Sequence, residues 1–299
     1  ANIDQELFLT NGTDANLTEK GFQPVANSCT GCQNGNLVYN TTSLEYFCTI
    51  QAAINDAQTL NGHTIEVSSG TYNEQIIVNK GVTIKGVGMT KPIINGTVTN
   101  RVIEINSANI TLENLNVKFN QVSVLHGIYA PTSGTFNNLT IKDCLIEGTA
   151  TTGSSIFGSY GIRLGSFGGV VKDMVNIDNN IVVHSGTSPL GRGLRSYNIF
   201  GEIKNNEFTG VYSLQGGDFD GGLIQITNID FDGVCEINNI AFNGTHTVSG
   251  NNFSPSNANG PGTDFALIEL KNLSTAGANL QIENNTFTDY SNFGIFSGR

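Results

Sequence analysis

The chain has 299 residues, 13% of them charged, with 36 glycines, no tryptophan and a formal net charge of -11. That acidity disfavours nucleic acid and anionic membrane surfaces as partners; cations and neutral sugars stay open, and a local basic patch could still hold an anion. No apolar run approaches the roughly eighteen residues of a membrane-spanning helix, so direct membrane insertion is not expected. The abundance of Gly, Asn, Thr and Ser suits short strands joined by tight polar turns, not long helices.

Residues 1–48 differ in pattern from the rest of the chain and form an N-terminal extension. Residues 6–10, Glu-Leu-Phe-Leu-Thr, are a strand-like piece able to pair within its own chain or by strand addition to a neighbour, which would give head-to-tail self-assembly. Cys29-x-x-Cys32 and nearby Cys48 are candidates for one disulfide with a thiol left over, whereas Cys144 and Cys235 sit inside strand phrases and read as small buried hydrophobes. A polar start at Ala1 and the paucity of Lys fit an exported chain, extracellular or at the cell surface. Ten Asn-x-Ser/Thr sites, among them Asn11, Asn40, Asn109, Asn138 and Asn284, open it to N-glycosylation; Asn109 and Asn138 adjoin strands and are expected to be partly buried.

Residues 49–60 have helical spacing at Ile50, Ala53, Ile54, Ala57 and Leu60, with Thr49 placed to accept the first backbone N–H groups. Strand signals come next at 64–67, 74–78 and 82–85, and a helix at 49–60 would cap the open end of the strand coil they begin. From there a Gly-aliphatic step returns about every thirty residues: Gly127-Ile128, Gly161-Ile162, Gly193-Leu194, Gly222-Leu223, Ala266-Leu267 and Gly294-Ile295. Between the steps lies a phrase of the form Ile-x-Asn-Asn-x-Phe, as in Ile177 to Val182, Ile203 to Phe208, Ile237 to Phe242 and Ile282 to Phe287. Two recurring phrases predict two strands per turn of a coil. A unit this small cannot bury its own apolar face, so successive units must stack.

The run Thr49-Ile-Gln-Ala-Ala-Ile-Asn-Asp-Ala, then His63-Thr-Ile-Glu-Val, Gly70-Thr-Tyr-Asn-Glu and Val82-Thr-Ile-Lys-Gly-Val-Gly, resembles the opening of right-handed parallel β-helix proteins of the pectin-lyase-like superfamily. The later rungs resemble it too. The resemblance implies an all-β fold, a right-handed parallel β-helix (solenoid) over residues 49–299 with an N-terminal capping helix at 49–60. It leaves activity open, because the superfamily includes lyases, hydrolases, esterases, tailspikes, adhesins and structural proteins.

Stacking makes predictions of its own. Aligning the rungs on Ile84, Leu112, Ile141, Ile177, Ile203, Ile237 and Ile282 places Lys85, Glu113, Lys142, Asp178 and Lys204 in one outward column of alternating sign, a register device. The strand after the Gly step gives another column: Tyr129, Arg163, Arg195, Ile224. Two stacked arginines need a counter-charge. Either a loop acid such as Asp143 or Asp173 supplies it, or a ligand does; an aromatic beside two guanidinium groups suits an acidic sugar, with Arg192 and His184 extending the patch. Two copies of Asp-Phe-Asp-Gly, carrying Asp218, Asp220, Asp230 and Asp232, could hold calcium, although neither continues as an EF-hand.

No pectin-esterase, polygalacturonase or clear lyase motif is present, and His126-Gly127 is only a fragment of one. The expectation is therefore a non-catalytic secreted or cell-surface β-helix requiring no cofactor, acting in adhesion, in binding an extracellular polysaccharide or other surface ligand, or as a structural stalk or filament. Its alternative is a polysaccharide lyase acting on uronic-acid-containing glycans, with Arg163 or Arg195 as base and calcium or arginine neutralising the uronate.

Overall fold

A computed structural model describes residue 32 and residues 37–96, 101–120, 126–149, 159–166, 173–184, 190–209, 212–220, 223–227, 229–231, 234–238, 244–253, 266–271, 278–287 and 293–297. Over these residues the chain is a right-handed parallel β-helix. Three sheets run the length of the coil, with eleven, nine and nine strands among the described residues. Each turn contributes one strand to each sheet, so there are three strands per turn and not two. The Ile-x-Asn-Asn-x-Phe phrase is itself two strands: in Ile203 to Phe208 the aliphatic residue ends Ile199–Lys204 of the first sheet, the asparagines turn the corner, and Phe208 lies in Glu207–Thr209 of the second. The Gly step belongs to the third sheet.

Strand alternation sends one column inward per sheet. In the first sheet Ile65, Ile84, Leu112, Ile141, Ile177, Ile203, Ile226 and Val248 stack in register and are buried. Ile226 and Val248 are not the residues expected. Ile237 lies instead in Val234–Asn238 of the third sheet, opposite Phe219 and Leu270. The error arises because Ile226–Phe231, Ile237–Phe242 and Val248–Phe253 all carry an aliphatic residue five positions before a Phe, and spacing alone does not choose among them.

The Asn-Asn corner has a division of labour. Its first residue takes the left-handed conformation, φ 55° at Asn114 and Asp143, 54° at Asn179, 56° at Asn205 and 57° at Asn284, where Asn and Asp are the least penalised of side-chain-bearing residues. The second turns inward. Asn206 Nδ2 donates to Ile177 O and Lys204 O, both at 2.8 Å, while its Oδ1 accepts from Asn180 N and Nδ2, both at 2.9 Å. Asn180 Oδ1 accepts in turn from Cys144 N at 2.9 Å, and Asn251 and Asn285 repeat the pattern further along. A buried amide ladder thus satisfies the corner's backbone groups.

Outside, the charge column stands as expected: Lys85 meets Glu113 at 3.2 Å, Lys142 meets Glu113 at 3.1 Å, and Lys204 reaches Asp178 at 3.9 Å. Glu66, in register with Lys85, extends it by one rung. Near the start, the helix occupies Ile50–Asn55, shorter than the predicted 49–60 because Asp56 leaves the helical region at ψ 140°. Thr49 caps it by accepting from Ala52 N, and the Glu74 carboxylate accepts from Ile50 N and Gln51 N at 2.9 and 3.0 Å. Ile50, Ala53 and Ile54 are buried. Val38–Asn40 and Glu45–Phe47 of the extension pair antiparallel onto the first sheet beside Thr64–Ser68. Cys32 is bonded to Cys48; Cys29 lies outside the described residues. Burial pushes the Cys144 thiol up to about 12, as expected of an inert core cysteine.

Candidate functional site

The Gly step shapes the outer face of the third sheet. A Cβ on Gly127 would stand 2.8 Å from Ile146 Cγ2 and 2.7 Å from Gly161 O, and one on Gly161 would collide with Val182 Cγ1 and with Gly193 O. Glycine and the aliphatic residue after it are therefore both turned to the core. The residues on either side of this inward pair, three apart, both lie on the outer face, where Glu104, His126 and Tyr160 are largely covered by their neighbours. So His126 and Tyr129 bring their rings together at 5.1 Å, and Arg101 and Glu104 of the previous rung, flanking Val102-Ile103, form an ion pair.

Two outer columns result. One carries Arg101, His126, Tyr160 and Arg192 in register; the other carries Glu104, Tyr129, Arg163 and Arg195. Arg163 and Arg195 are direct register partners, as the stacking argument requires, and Arg192 stands at the register position above Tyr160. The Arg163 guanidinium lies 5.2 Å from the Tyr129 ring centre and 5.6 Å from that of Tyr160, and its Nη1 donates to the Tyr129 hydroxyl at 3.3 Å. Arg101 lies 5.4 Å from Tyr129, and Arg195 4.8 Å from Tyr197. His126 is wedged against both Tyr129 and Tyr160 at 5.1 Å. Guanidinium groups on aromatic faces are held flat and rotationally restricted.

The position above Arg195 is Asp218, not Ile224. Gly222-Leu223 looks like the next step, yet Leu223–Thr227 is a strand of the first sheet and Ile224 pairs with Gly201. Neither loop acid considered as counter-charge faces the arginines. Asp173 is buried and accepts from Gly134 and Phe136 N–H groups, and desolvation raises its pKa. Asp143 accepts from Asn179 Nδ2 at 2.6 Å on the first-sheet corner. Glu104 is held by Arg101 and by Asn106 Nδ2 at 2.9 Å.

The two Asp-Phe-Asp-Gly copies fall on different sheets. Asp218 and Asp220 are in Tyr212–Asp220 of the third sheet and Asp230 begins Asp230–Phe231 of the second. Of these three and of Arg192 and His184 the backbone alone is described, and Asp232 lies outside the described residues. Among the described residues no group of three or more His, Cys, Asp or Glu side chains could hold a metal ion.

Sequence reasoning missed Arg101, Tyr160 and Tyr197, and found His126 only as a motif fragment. The usable signal was the residue before each Gly step, which simple alternation places inside. A concavity lies on the first sheet, lined by Asn138, Met174, Asn176, Phe200, Glu202 and Gln225 among others.

No family model matches the chain. A cell surface glycoprotein of Methanothermus fervidus is 32% identical over 124 residues, covering 40% of this chain and 20% of that protein, so the chain spans about a fifth of its curated relative. Among solved structures, a pectin methylesterase from Yersinia enterocolitica is similar at 12% identity and TM-score 0.46, over 85% of this chain and 94% of that one. An alginate lyase from Paenibacillus sp. str. FPU-7 is similar at 14% identity and TM-score 0.47, over 84% and 95%. Among the described residues no helix is long and apolar enough to cross a membrane.

Proposed function

We propose that this chain is a non-catalytic β-helix of the cell surface that binds an acidic polysaccharide across the outer face of its third sheet. The observation that carries the reading is the register pairing of Arg163 with Arg195, beside the tyrosine rings of Tyr129, Tyr160 and Tyr197. Adjacent rungs are about 4.8 Å apart, so Arg163 and Arg195 set two positive charges one rung apart for carboxylates carried along one glycan, while half-buried Tyr129 gives a ring face to the sugars and the buried Tyr160 and Tyr197 brace the guanidinium groups. The relative named a cell surface glycoprotein and the Cys32–Cys48 bond both suit an exported chain. Adhesion, and end-to-end assembly into a stalk, are extensions of the same reading.

Binding of uronic-acid polymers, measured by calorimetry at low and raised salt, tests it. Arg163→Ala and Arg195→Ala are each expected to weaken binding roughly tenfold or more, the size of a lost charge-assisted hydrogen bond. Unchanged affinity in both variants would remove the proposed site. The lyase alternative draws on His126 lying between two tyrosines beside Arg163. It requires an absorbance rise from unsaturated products, abolished by Arg195→Ala, with calcium present or absent.

A further inference from the structure

We propose that Asn138 is an N-glycan attachment site and that the first sugars of its glycan lie in the groove of the first sheet, over Met174 and Phe200. Asn138-Leu139-Thr140 is an acceptor sequence whose middle residue is buried, so Asn138 and Thr140 stand side by side on the outer face. Asn138 is exposed and not partly buried as expected, because it sits in the left-handed conformation at φ 60°, at the rim where the corner enters Leu139–Lys142. One hydrogen of its Nδ2 is engaged with Asn109 Oδ1 at 2.9 Å, which leaves the second for replacement. Asn40 is the contrasting case. It is fully buried, with Nδ2 on Thr59 Oγ1 at 2.8 Å and Oδ1 accepting from Thr42 N and Ser43 N, so a glycan there is incompatible with this fold.

The groove supplies an independent observation. Leu139 is in register with Val175, and Met174 with Phe200, so the column that rises from Asn138 continues through Met174 to Phe200. Met174 is 49% exposed and shares the groove with Asn138, Thr140, Asn176 and Phe200. Asn176 Oδ1 is enclosed there and makes no hydrogen bond within the described residues. A sugar attached to Asn138 reaches the next rungs, about 4.8 Å apart, with its C–H face toward Met174 and Phe200 and its hydroxyls toward Asn176.

In the attachment step the Asn138 amide nitrogen attacks C1 of an oligosaccharide carried on a lipid pyrophosphate. The C1–N bond forms, the C1–O bond breaks with its electron pair leaving on the pyrophosphate, and one amide proton passes to base. The proposal rests on the surface reading only in that such donors act on exported chains, and it does not depend on the arginine patch. The test supplies export: the chain is secreted behind an added leader from an N-glycosylating host, then analysed by intact mass and glycopeptide mapping.

The expected result is a glycan on Asn138 that is absent from Asn138→Gln and Thr140→Ala, kept in Thr140→Ser, and never found on Asn40. An unmodified Asn138 in the secreted wild-type protein overturns the site. The placement is read by peroxide oxidation, using the chain's two methionines: Met89 is fully exposed and serves as internal reference. The Met174-to-Met89 oxidation ratio is expected to be several-fold lower in the glycosylated protein than in Asn138→Gln. Equal ratios would show that the glycan does not cover the groove.

Discussion

Asn206→Leu tests whether the buried amides hold the corner of the coil. The side chain is 2% exposed and makes four hydrogen bonds, two given to Ile177 O and Lys204 O and two received from Asn180 N and Nδ2. Leucine is close in volume and removes all four. Asn180 Nδ2 keeps Ile141 O at 2.8 Å, but Asn180 N is left without an acceptor in the core. An orphaned buried donor costs about 1–3 kcal/mol, and each lost bond that leaves a carbonyl able to relax costs about 0.5–1.5 kcal/mol. Leucine's added apolar burial returns about 1–2 kcal/mol, so the net expectation is a loss of about 1–4 kcal/mol. Thermal unfolding followed by circular dichroism should then show a fall of several degrees. Asn205→Gly, one residue earlier, is the control: its φ of 56° suits glycine, and its midpoint should barely move. A leucine variant as stable as the parent, or one no worse than Asn205→Gly, would refute the claim that the inner amide stabilises the corner.

Gly161→Ala should cost about 1–3 kcal/mol in urea unfolding, because the new methyl meets Val182 and the carbonyl of Gly193; a cost below about 0.5 kcal/mol would mean that the step tolerates a side chain there. Acidification probes the charge column at Glu113, where desolvation raises the carboxyl pKa but the hydrogen bonds and charges of Lys142 and Lys85 outweigh it, leaving the pKa lowered. The folded protein then holds fewer protons than the unfolded chain, so this stabilisation is present above the unfolded carboxylate value and fades as pH falls through the lower folded one. Glu113→Gln should flatten that part of the pH–stability curve, and an unaltered slope would deny the column its role.

The fold was legible because its signal is repeated: the aliphatic residues that stack from Ile65 to Ile203 each occur in a similar local phrase, and the charges beside them alternate as stacked neighbours must. The number of strands per turn was not legible. Two-residue corners and strands as short as Asp230–Phe231 leave little period of their own, and Ile237 imitates the phrase one sheet away. At the site, Tyr129, Arg163 and Arg195 followed from simple alternation. His126 and Tyr160 did not, because the Gly step breaks that alternation and brings the preceding residue outward, an effect of packing against Ile146 and Val182, and Arg101 did not because the same inward pair recurs at Val102-Ile103 with no glycine to mark it. Ile224 was misassigned for the related reason that a Gly-Leu pair also begins a first-sheet strand.

The asparagine corner has a consequence for how such a chain can change. From Glu113 to Asn116, Lys142 to Leu145, Asp178 to Ile181 and Lys204 to Glu207 the same two-residue link joins the first sheet to the second, and at Asn180 its inner member is tied to the turns on either side, through Cys144 N and Asn206. One additional amino acid there would rotate the following strand's faces and cut the amide chain at that storey. Novelty in length is thereby channelled to the two remaining edges, which border the arginine-bearing wall, so the molecule can remodel the rim of its binding surface while its spine keeps a fixed gauge.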